Sequence, residues 1–304
     1  MREAGLDRST LRRLLGVEAW PVDPVPARIR EVCDHGAFLR EELILDTDRG
    51  PIPATGLRPA GDGPFPAILY CHAHGNAWEI GRRELMEGRR ALPSGAYGPV
   101  LAAAGYVVLC LDMTGHGERQ GDGPEGALAK AALWRGETLL GRMLGDLAQG
   151  LCILAEDPRV DADRIGTLGL SMGATHAYWL AALDDRVAAA AHLCAFADMG
   201  PLIAGGGHDL HGIYMTVPSL LRHGDMGGVA SLIAPRPQLV CAGLADPLTP
   251  PEAFDPALAR LRAAYAEMHA DERLEVVTDG PGGHVETPEM RAAVLRFLSE
   301  ALGP

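Results

Sequence analysis

The most informative stretch of this 304-residue chain is Gly169-Leu170-Ser171-Met172-Gly173. It follows an apolar run over 164–168 and precedes an alanine-rich run over 174–183 that is typical of a helix. A serine between two glycines at a strand-to-helix turn can adopt a strained backbone conformation, which lifts its hydroxyl out of the sheet. The pattern therefore predicts a nucleophilic Ser171 at the end of a strand.

Strand-like and helix-like runs alternate along most of the chain. This alternation favours an α/β fold in which helices cover both faces of a mostly parallel sheet. The early short strands lack intervening helices, which fits an antiparallel edge on that sheet. The predicted strands are 29–33, 38–45, 52–57, 67–71, 107–111, 165–170, 187–193, 238–242 and 274–278, and the predicted helices are 1–16, 99–104, 143–155, 174–183, 256–268 and 288–302.

One segment, 197–237, breaks this alternation. We expect a single domain over 1–304, with a helix and an extended arm over 1–28 and an insertion over 197–237. A long insertion after the carboxyl end of a strand usually covers the site there. We therefore predict a cap over the active site, the alternative being a surface excursion without a functional role.

Composition limits the partners and the compartment. The formal charge of −13 disfavours nucleic acids and anionic membranes as partners. The six cysteines are widely spaced and several lie in apolar runs, which is typical of buried thiols in a reducing cytoplasm. Residues 1–16 lack the apolar core of a signal peptide, and no apolar stretch is long enough to span a bilayer. We expect a cytoplasmic protein that acts on a small molecule, and its oligomeric state stays open.

A nucleophilic serine needs a base, and the base needs a third group that orients it. In sheets of this kind the acid and the histidine follow the serine in that order. Asp246 follows the predicted strand 238–242, and His284 lies on a glycine-rich loop after 274–278. We expect Ser171, Asp246 and His284 to form the catalytic triad, with Asp198 as the rival acid.

The negative oxygen of a tetrahedral intermediate needs two backbone N–H donors. One is expected from Met172, which follows the nucleophile at a helix N-terminus. The other is expected from the loop after the predicted strand 67–71. Its sequence, with His74 and Gly75, favours Asn76 as the donor, and Ala77 is the neighbouring alternative.

The remaining histidines allow two interpretations. His72 and His74 point the same way in an extended strand, and His208 and His211 could share a helical face, so either pair could contribute ligands to a metal. No metallohydrolase motif accompanies either pair, and we predict neither a metal nor a cofactor. The expected lining of a partly hydrophobic substrate pocket is His74, Tyr214, Met215 and Leu220.

Taken together, four motifs resemble those of the α/β-hydrolase superfamily, in the branch of dienelactone hydrolases and acetyl xylan esterases. The resemblance covers about 40–302 and implies the α/β-hydrolase fold, a Ser-Asp-His triad and hydrolysis of carboxylic esters. Dienelactone hydrolases proper use a cysteine nucleophile, so Ser171 argues against that activity. The motifs are 74–76, 112–119, 169–173 and the pair Asp246 and His284, and within the second we expect Asp112 and Arg119 to hold their loop.

These observations favour a serine esterase that works through an acyl-enzyme. Three alternatives on the same fold stay open: a peptidase, an acyltransferase and a non-catalytic binding protein. A peptidase of the prolyl-oligopeptidase type would need a large propeller domain, for which 304 residues leave no room.

Overall fold

In the part of the chain that the structure describes, a nine-stranded sheet forms the centre of the fold. The computed structural model describes residues 6–17 and 19–303 of the chain. The strands are β1 (Ala27–Asp34), β2 (Phe38–Thr47), β3 (Gly50–Pro59), β4 (Phe65–Cys71), β5 (Val107–Leu111), β6 (Val160–Leu170), β7 (Val187–Leu193), β8 (Gln238–Gly243) and β9 (Leu274–Asp279).

The strand order is β1-β2-β3-β5-β4-β6-β7-β8-β9. Strands β4 to β9 pair in parallel, whereas β1, β2 and β3 pair antiparallel and β3 joins β5 antiparallel. This confirms the predicted mostly parallel sheet with an antiparallel edge. Because parallel strands point the same way, the loops after β4, β6, β8 and β9 all leave the same edge of the sheet.

Helices cover both faces of the sheet, as predicted. Side chains of α1, α5, α6 and α9 belong to the apolar core on one face, and those of α3 and α10 to the core on the other. The helices are α1 (Arg8–Leu15), α2 (Glu84–Glu87), α3 (Gly98–Ala103), α4 (Glu125–Trp134), α5 (Leu139–Glu156), α6 (Met172–Leu183), α7 (Met199–Gly205), α8 (Met226–Ser231), α9 (Pro251–Glu267) and α10 (Pro288–Leu302).

The central strands are buried on both sides. In β4, Ala67 and Leu69 pack into one core, while Ile68 and Tyr70 pack into the other. Successive side chains of a strand point to opposite faces, so a strand between two helical layers must be apolar throughout. This explains the apolar runs without alternation in the sequence.

The helices depart from the prediction in several places. The sequence analysis did not predict α2, α4, α7 or α8. Helix α5 begins four residues earlier than predicted, and α9 begins at Pro251 and carries Pro256 inside it. A proline near the start of a helix removes one backbone hydrogen bond, which a long helix tolerates. The predicted helix over 1–16 is described from Arg8 to Leu15, and its residues 1–5 lie outside the described part.

The insertion over 197–237 lies between β7 and β8, where the sequence indicated it. It consists of α7, α8 and short connecting turns, which are Gly207–Leu210, Ile213–Met215 and Leu220–Arg222. Its position relative to the sheet edge decides whether it can act as a cap.

Over residues 6–17 and 19–303, no helix is by itself long and apolar enough to cross a membrane. Helices α4 and α5 together reach that length and composition, but they meet at a bend of 95°. The cytoplasmic location stays a prediction.

A buried ion pair fixes the loop after β5. Asp112 is fully buried, and its carboxylate accepts hydrogen bonds from the Arg82 side chain at 2.5 Å and from the Arg82 amide at 2.7 Å. Arg119 pairs with Asp146 on α5 at 2.6 Å and also donates to the Asp112 carbonyl oxygen. Both residues therefore hold the loop as expected, although each does so with a different charged partner.

Removing Asp112 should destabilise the protein strongly, because Arg82 would lose its main buried partner. Loss of one partner of a buried pair typically costs about 3–5 kcal/mol. We expect Asp112→Ala to lower the free energy of unfolding by this amount in urea titrations. The control is Asp46→Ala, which removes the exposed pair between Arg28 and Asp46 and should change stability by about 1 kcal/mol or less. Equal effects of the two variants would contradict this account.

Candidate active site

Ser171 occupies a strained turn between β6 and α6. Its backbone dihedrals are φ 58° and ψ −124°, a region that residues other than glycine rarely adopt. The Ser171 amide donates to the carbonyl oxygen of Leu193 on β7 at 2.9 Å, which holds the turn against the sheet. The hydroxyl is thereby raised above the carboxyl edge of the sheet.

The two glycines of the motif permit this turn. A Cβ on Gly173 would lie 1.9 Å from the carbonyl oxygen of Cys71 on β4, and one on Gly169 would lie 2.3 Å from the Gly173 backbone. Such distances are sterically forbidden, so no other residue fits without moving the helix away from the sheet. The sequence motif therefore reflects a close approach of α6 to β4 and β6.

The side chains of Ser171, His284 and Asp246 form a continuous hydrogen-bonded chain. His284 Nε2 lies 2.8 Å from Ser171 Oγ, and His284 Nδ1 lies 2.7 Å from Asp246 Oδ2. Asp246 is fully buried, and its second oxygen accepts the Leu248 amide at 2.9 Å. The three residues that the sequence suggested thus come together with the connectivity of a nucleophile, a base and an orienting acid.

Backbone contacts between two loops bring the acid and the histidine together. The amides of Leu244 and Ala245 donate to the carbonyl oxygens of Asp279 and Gly282 at 2.8 and 2.9 Å. A Cβ on Gly243 would lie 2.3 Å from the Gly282 oxygen, so this contact also requires glycine. The loops after β8 and β9 therefore form one packed unit.

A buried cluster supports the far side of the His284 loop. The Tyr97 hydroxyl donates to the Glu286 carboxylate at 2.5 Å, and the Arg291 guanidinium lies 3.6 Å above the Tyr97 ring. Burial, together with the neighbouring Glu286, raises the pKa of Tyr97 well above its usual value. The tyrosine therefore remains a hydrogen-bond donor to Glu286, two residues after His284.

Asp198, the rival acid, is occupied elsewhere. Its carboxylate accepts the Gly227 amide at 2.9 Å and pairs with the Arg260 guanidinium, and the side chain is fully buried. It connects the start of α7 to α8 and α9. These bonds are consistent with a structural role in the insertion.

The two expected oxyanion donors differ in their surroundings. Met172 is the first residue of α6, where amides lack partners within the helix. The amide of Asn76, by contrast, donates to His74 Nδ1 at 3.1 Å, and that of Ala77 donates to the His74 carbonyl oxygen at 3.1 Å. In this conformation the Asn76 amide could reach an oxyanion only by leaving His74 Nδ1, and its assignment as the second donor stays a prediction.

Glu84 anchors the start of this loop. Its carboxylate accepts the Ala73 amide at 3.0 Å and the Tyr70 hydroxyl at 2.6 Å, and it pairs with Arg89. Arg89 in turn donates to the Ala73 carbonyl oxygen at 3.0 Å. Burial raises the pKa of Glu84. The backbone at Ala73 is therefore held on both its amide and its carbonyl side.

Glu125 is a site residue that sequence reasoning missed. It is the first residue of α4, and its Oε2 lies 2.5 Å from His74 Nε2. Its other oxygen, Oε1, accepts the amide of Tyr214 in the insertion at 2.8 Å. No motif in the sequence marks this residue, because α4 itself was not recognised.

A cavity of about 700 Å³ opens above Ser171. His74 and Tyr214 line it as expected, together with Trp78 and the stretch 209–213 of the insertion. The expectation for Met215 and Leu220 needs correction, since both line a separate, adjoining cavity of about 350 Å³. They are buried on the opposite side of the 209–213 stretch.

Three of the four histidines that raised the question of a metal have hydrogen-bond partners within the protein, namely His72, His74 and His211. His72 donates through Nδ1 to the Ala73 carbonyl oxygen at 3.0 Å, and its Nε2 accepts the Met113 amide at 3.1 Å. His211 contacts the Leu248 carbonyl oxygen at 2.9 Å. Among the described residues, no group of three or more histidine, cysteine or acidic side chains has the arrangement of a metal site.

Comparisons with known proteins agree with this architecture. The model of the dienelactone hydrolase family matches residues 98–196. The chain is 38% identical over 299 residues to "Putative hydrolase YtaP" of Bacillus subtilis (strain 168), covering 97% of this chain and 98% of that one.

Two solved structures resemble the fold along nearly the whole chain. Acetyl xylan esterase 1 from Thermoanaerobacterium sp. JW/SL YS485 has a TM-score of 0.67 at 20% identity, covering 99% of this chain and 95% of the other. A glucuronoyl esterase from Solibacter usitatus has a TM-score of 0.67 at 15% identity, covering 97% and 93%. The chain therefore belongs to the α/β-hydrolase superfamily, as its identity to the putative hydrolase and the dienelactone hydrolase match over 98–196 show, and the two esterase structures share its fold.

Proposed function

We propose that this protein is a serine esterase that hydrolyses a carboxylic ester through an acyl-enzyme. The hydrogen-bonded chain from Ser171 through His284 to Asp246, with its distances of 2.8 and 2.7 Å, carries the proposal. A serine hydroxyl becomes a good nucleophile only when a base can take its proton as it attacks. His284 Nε2 is within reach of that proton.

In the first half of the reaction, Ser171 Oγ attacks the ester carbonyl carbon while its proton passes to His284 Nε2. Asp246 holds His284 by Nδ1 and stabilises the imidazolium that forms. The new oxyanion would accept the Met172 amide and a second amide from the His74–Gly75–Asn76 loop. When the tetrahedral intermediate collapses, His284 returns the proton to the leaving alcohol.

In the second half, water replaces the alcohol. His284 takes a proton from that water as it attacks the acyl carbon, and then returns the proton to Ser171 Oγ as the acid leaves. The net change is ester plus water to acid plus alcohol, and the enzyme is regenerated. Apart from the ester and this water, the scheme uses only groups of the chain itself.

The cavity wall supports a neutral ester as the substrate. Its ionisable groups are the acids Glu125 and Asp209, the Cys194 thiol, the Tyr214 phenol and the histidines, and neither arginine nor lysine occurs among the described lining residues. A carboxylate on the substrate would find no cation there. Trp78 and Tyr214 offer flat apolar surfaces beside the polar groups, an arrangement typical of small-molecule sites.

The first test concerns the nucleophile. Ser171→Ala should lower the hydrolysis of p-nitrophenyl esters by roughly 10⁴-fold or more, because it removes the hydroxyl that forms the acyl-enzyme. Thermal stability should stay nearly unchanged. The wild type should also react with a fluorophosphonate probe, and the variant should not. Variant activity above a tenth of the wild-type value, or an unlabelled wild type, would contradict the esterase mechanism.

The second test compares the two acids. Asp246→Asn should reduce turnover by roughly 10³–10⁴-fold, because the amide favours the wrong tautomer of His284. Asp198→Asn should leave turnover nearly intact and lower thermal stability, since Asp198 holds Arg260 and the Gly227 amide. A reversed order of the two effects on turnover would identify Asp198 as the acid.

The third test concerns the insertion, which we propose acts as a cap that selects substrates. Leu210 and Ile213 are partly exposed and line the cavity above Ser171. Replacing either by alanine should shift the preferred chain length in a panel of p-nitrophenyl esters, by at most roughly 10–200-fold between neighbouring substrates. Trp134→Ala removes an exposed side chain outside the cavity and serves as the control. An unchanged substrate ranking in both cap variants would rule out this role.

A further inference from the structure

One carboxylate connects the loop after β4 to the insertion. The Glu125 side chain is 12% exposed, with Oε2 at 2.5 Å from His74 Nε2 and Oε1 at 2.8 Å from the Tyr214 amide nitrogen. His74 lies 51 residues before Glu125 in the chain and Tyr214 lies 89 residues after it. Three segments far apart in sequence therefore meet at a single side chain.

The protonation of this group follows from its partners. Burial pushes the pKa of Glu125 up, but the hydrogen bonds from His74 and from the Tyr214 amide outweigh it, so the net pKa lies below its ordinary value. An ionised carboxylate can only accept hydrogen bonds. His74 therefore donates through Nε2–H, and its Nδ1 is free to accept the Asn76 amide at 3.1 Å.

The residues around Glu125 and His74 restrict the movement of both side chains. A Cβ on Gly212 would lie 2.9 Å from Glu125 Oε1, so the insertion approaches the carboxylate closely. The His74 ring stacks on Tyr214 at 6.1 Å between ring centroids and packs edge-on against Trp78 at 5.3 Å. The neighbouring His116 ring stays neutral at physiological pH, because burial lowers its pKa to about 4. It therefore does not compete as a cation for Glu125.

We propose that Glu125 is a positioning residue for the oxyanion loop: it fixes the tautomer of His74, which holds the Asn76 amide, and it ties this loop to the insertion through Tyr214. The inference rests on the proposed esterase function. Without the carboxylate, His74 can adopt the Nδ1–H tautomer, whose proton would face the Asn76 N–H. Two donors facing each other would displace the loop that has to receive the oxyanion.

The main test is Glu125→Gln, which keeps the shape of the side chain. Glu125 receives two donors, whereas a glutamine amide offers one oxygen and one NH₂ group. In either orientation the NH₂ group therefore faces the His74 Nε2–H or the Tyr214 N–H. We expect kcat for p-nitrophenyl acetate to fall roughly 10–100-fold, since a misplacement of about 1 Å can cost roughly 10²-fold. KM should change much less than kcat.

A direct readout is the tautomer of His74, seen in long-range ¹H–¹⁵N spectra of histidine-labelled protein. The wild type should show protonated Nε2, and Glu125→Gln should populate protonated Nδ1. In a His74→Phe background, Glu125→Gln should cost much less kcat than in the wild type, because coupled residues are not additive. A wild-type His74 that carries its proton on Nδ1, or full additivity of the two changes, would overturn the proposal.

Glu137→Gln is the matched control. It removes the same charge from the connection between α4 and α5, where Glu137 pairs with Arg142 outside the cavity, and it should leave kcat unchanged. If Glu125→Gln lowers the melting temperature while kcat stays within about twofold of the wild-type value, the role is merely structural and the inference fails. If the wild type hydrolyses no ester and resists the fluorophosphonate, the proposed function fails instead, and the positioning role falls with it.

Discussion

The close approach of α6 to the strands beneath it is the constraint on which the site depends. Gly173 lies against the Cys71 carbonyl oxygen, with no space for a single additional carbon. The chain can turn from β6 into α6 at this distance only if Ser171 adopts a positive φ. The strain is local, and it is held by the buried sheet below and by the Leu193 carbonyl oxygen. The position of the Ser171 hydroxyl is therefore a consequence of backbone packing.

Main-chain geometry also determines where the other residues of the candidate site lie. Strands β4, β6, β8 and β9 end at one edge, so four short loops meet there without any long connection. Backbone hydrogen bonds then fix the loops to one another, as between Ala245 and Gly282. Ser171 and His284 thus reach hydrogen-bonding distance although 113 residues separate them. The chemistry depends on side chains, but their spacing depends on main-chain contacts.

These main-chain rules explain what the sequence could predict. Apolar runs and turns in the sequence predict each of the described strands, and they predict an antiparallel edge on a mostly parallel sheet. The positions of strand ends predict the candidate site residues Ser171, Asp246 and His284. Helix α4 was missed because it is rich in alanine, follows a glycine-rich stretch and buries only Ala129 and Ala132, so its sequence lacks a clear apolar stripe. Contacts of Glu125 with His74 and Tyr214 depend on how three distant segments pack, and local patterns carry no information about that packing. The same limit explains the misplacement of Met215 and Leu220.

The features that the sequence predicted are set by the backbone, whereas the contacts that it missed are made by side chains. Glycines and strand ends determine the path of the backbone. Their positions can be recognised in the sequence from turn residues and from the ends of apolar runs. Glu125 acts through one carboxylate that satisfies two donors from separate segments. Such a side chain is specified by its buried partners, because an unsatisfied donor in a closed site is costly. The backbone frame of the site therefore follows from the fold, whereas the contacts of Glu125 follow from the way in which three separate segments of this chain pack together.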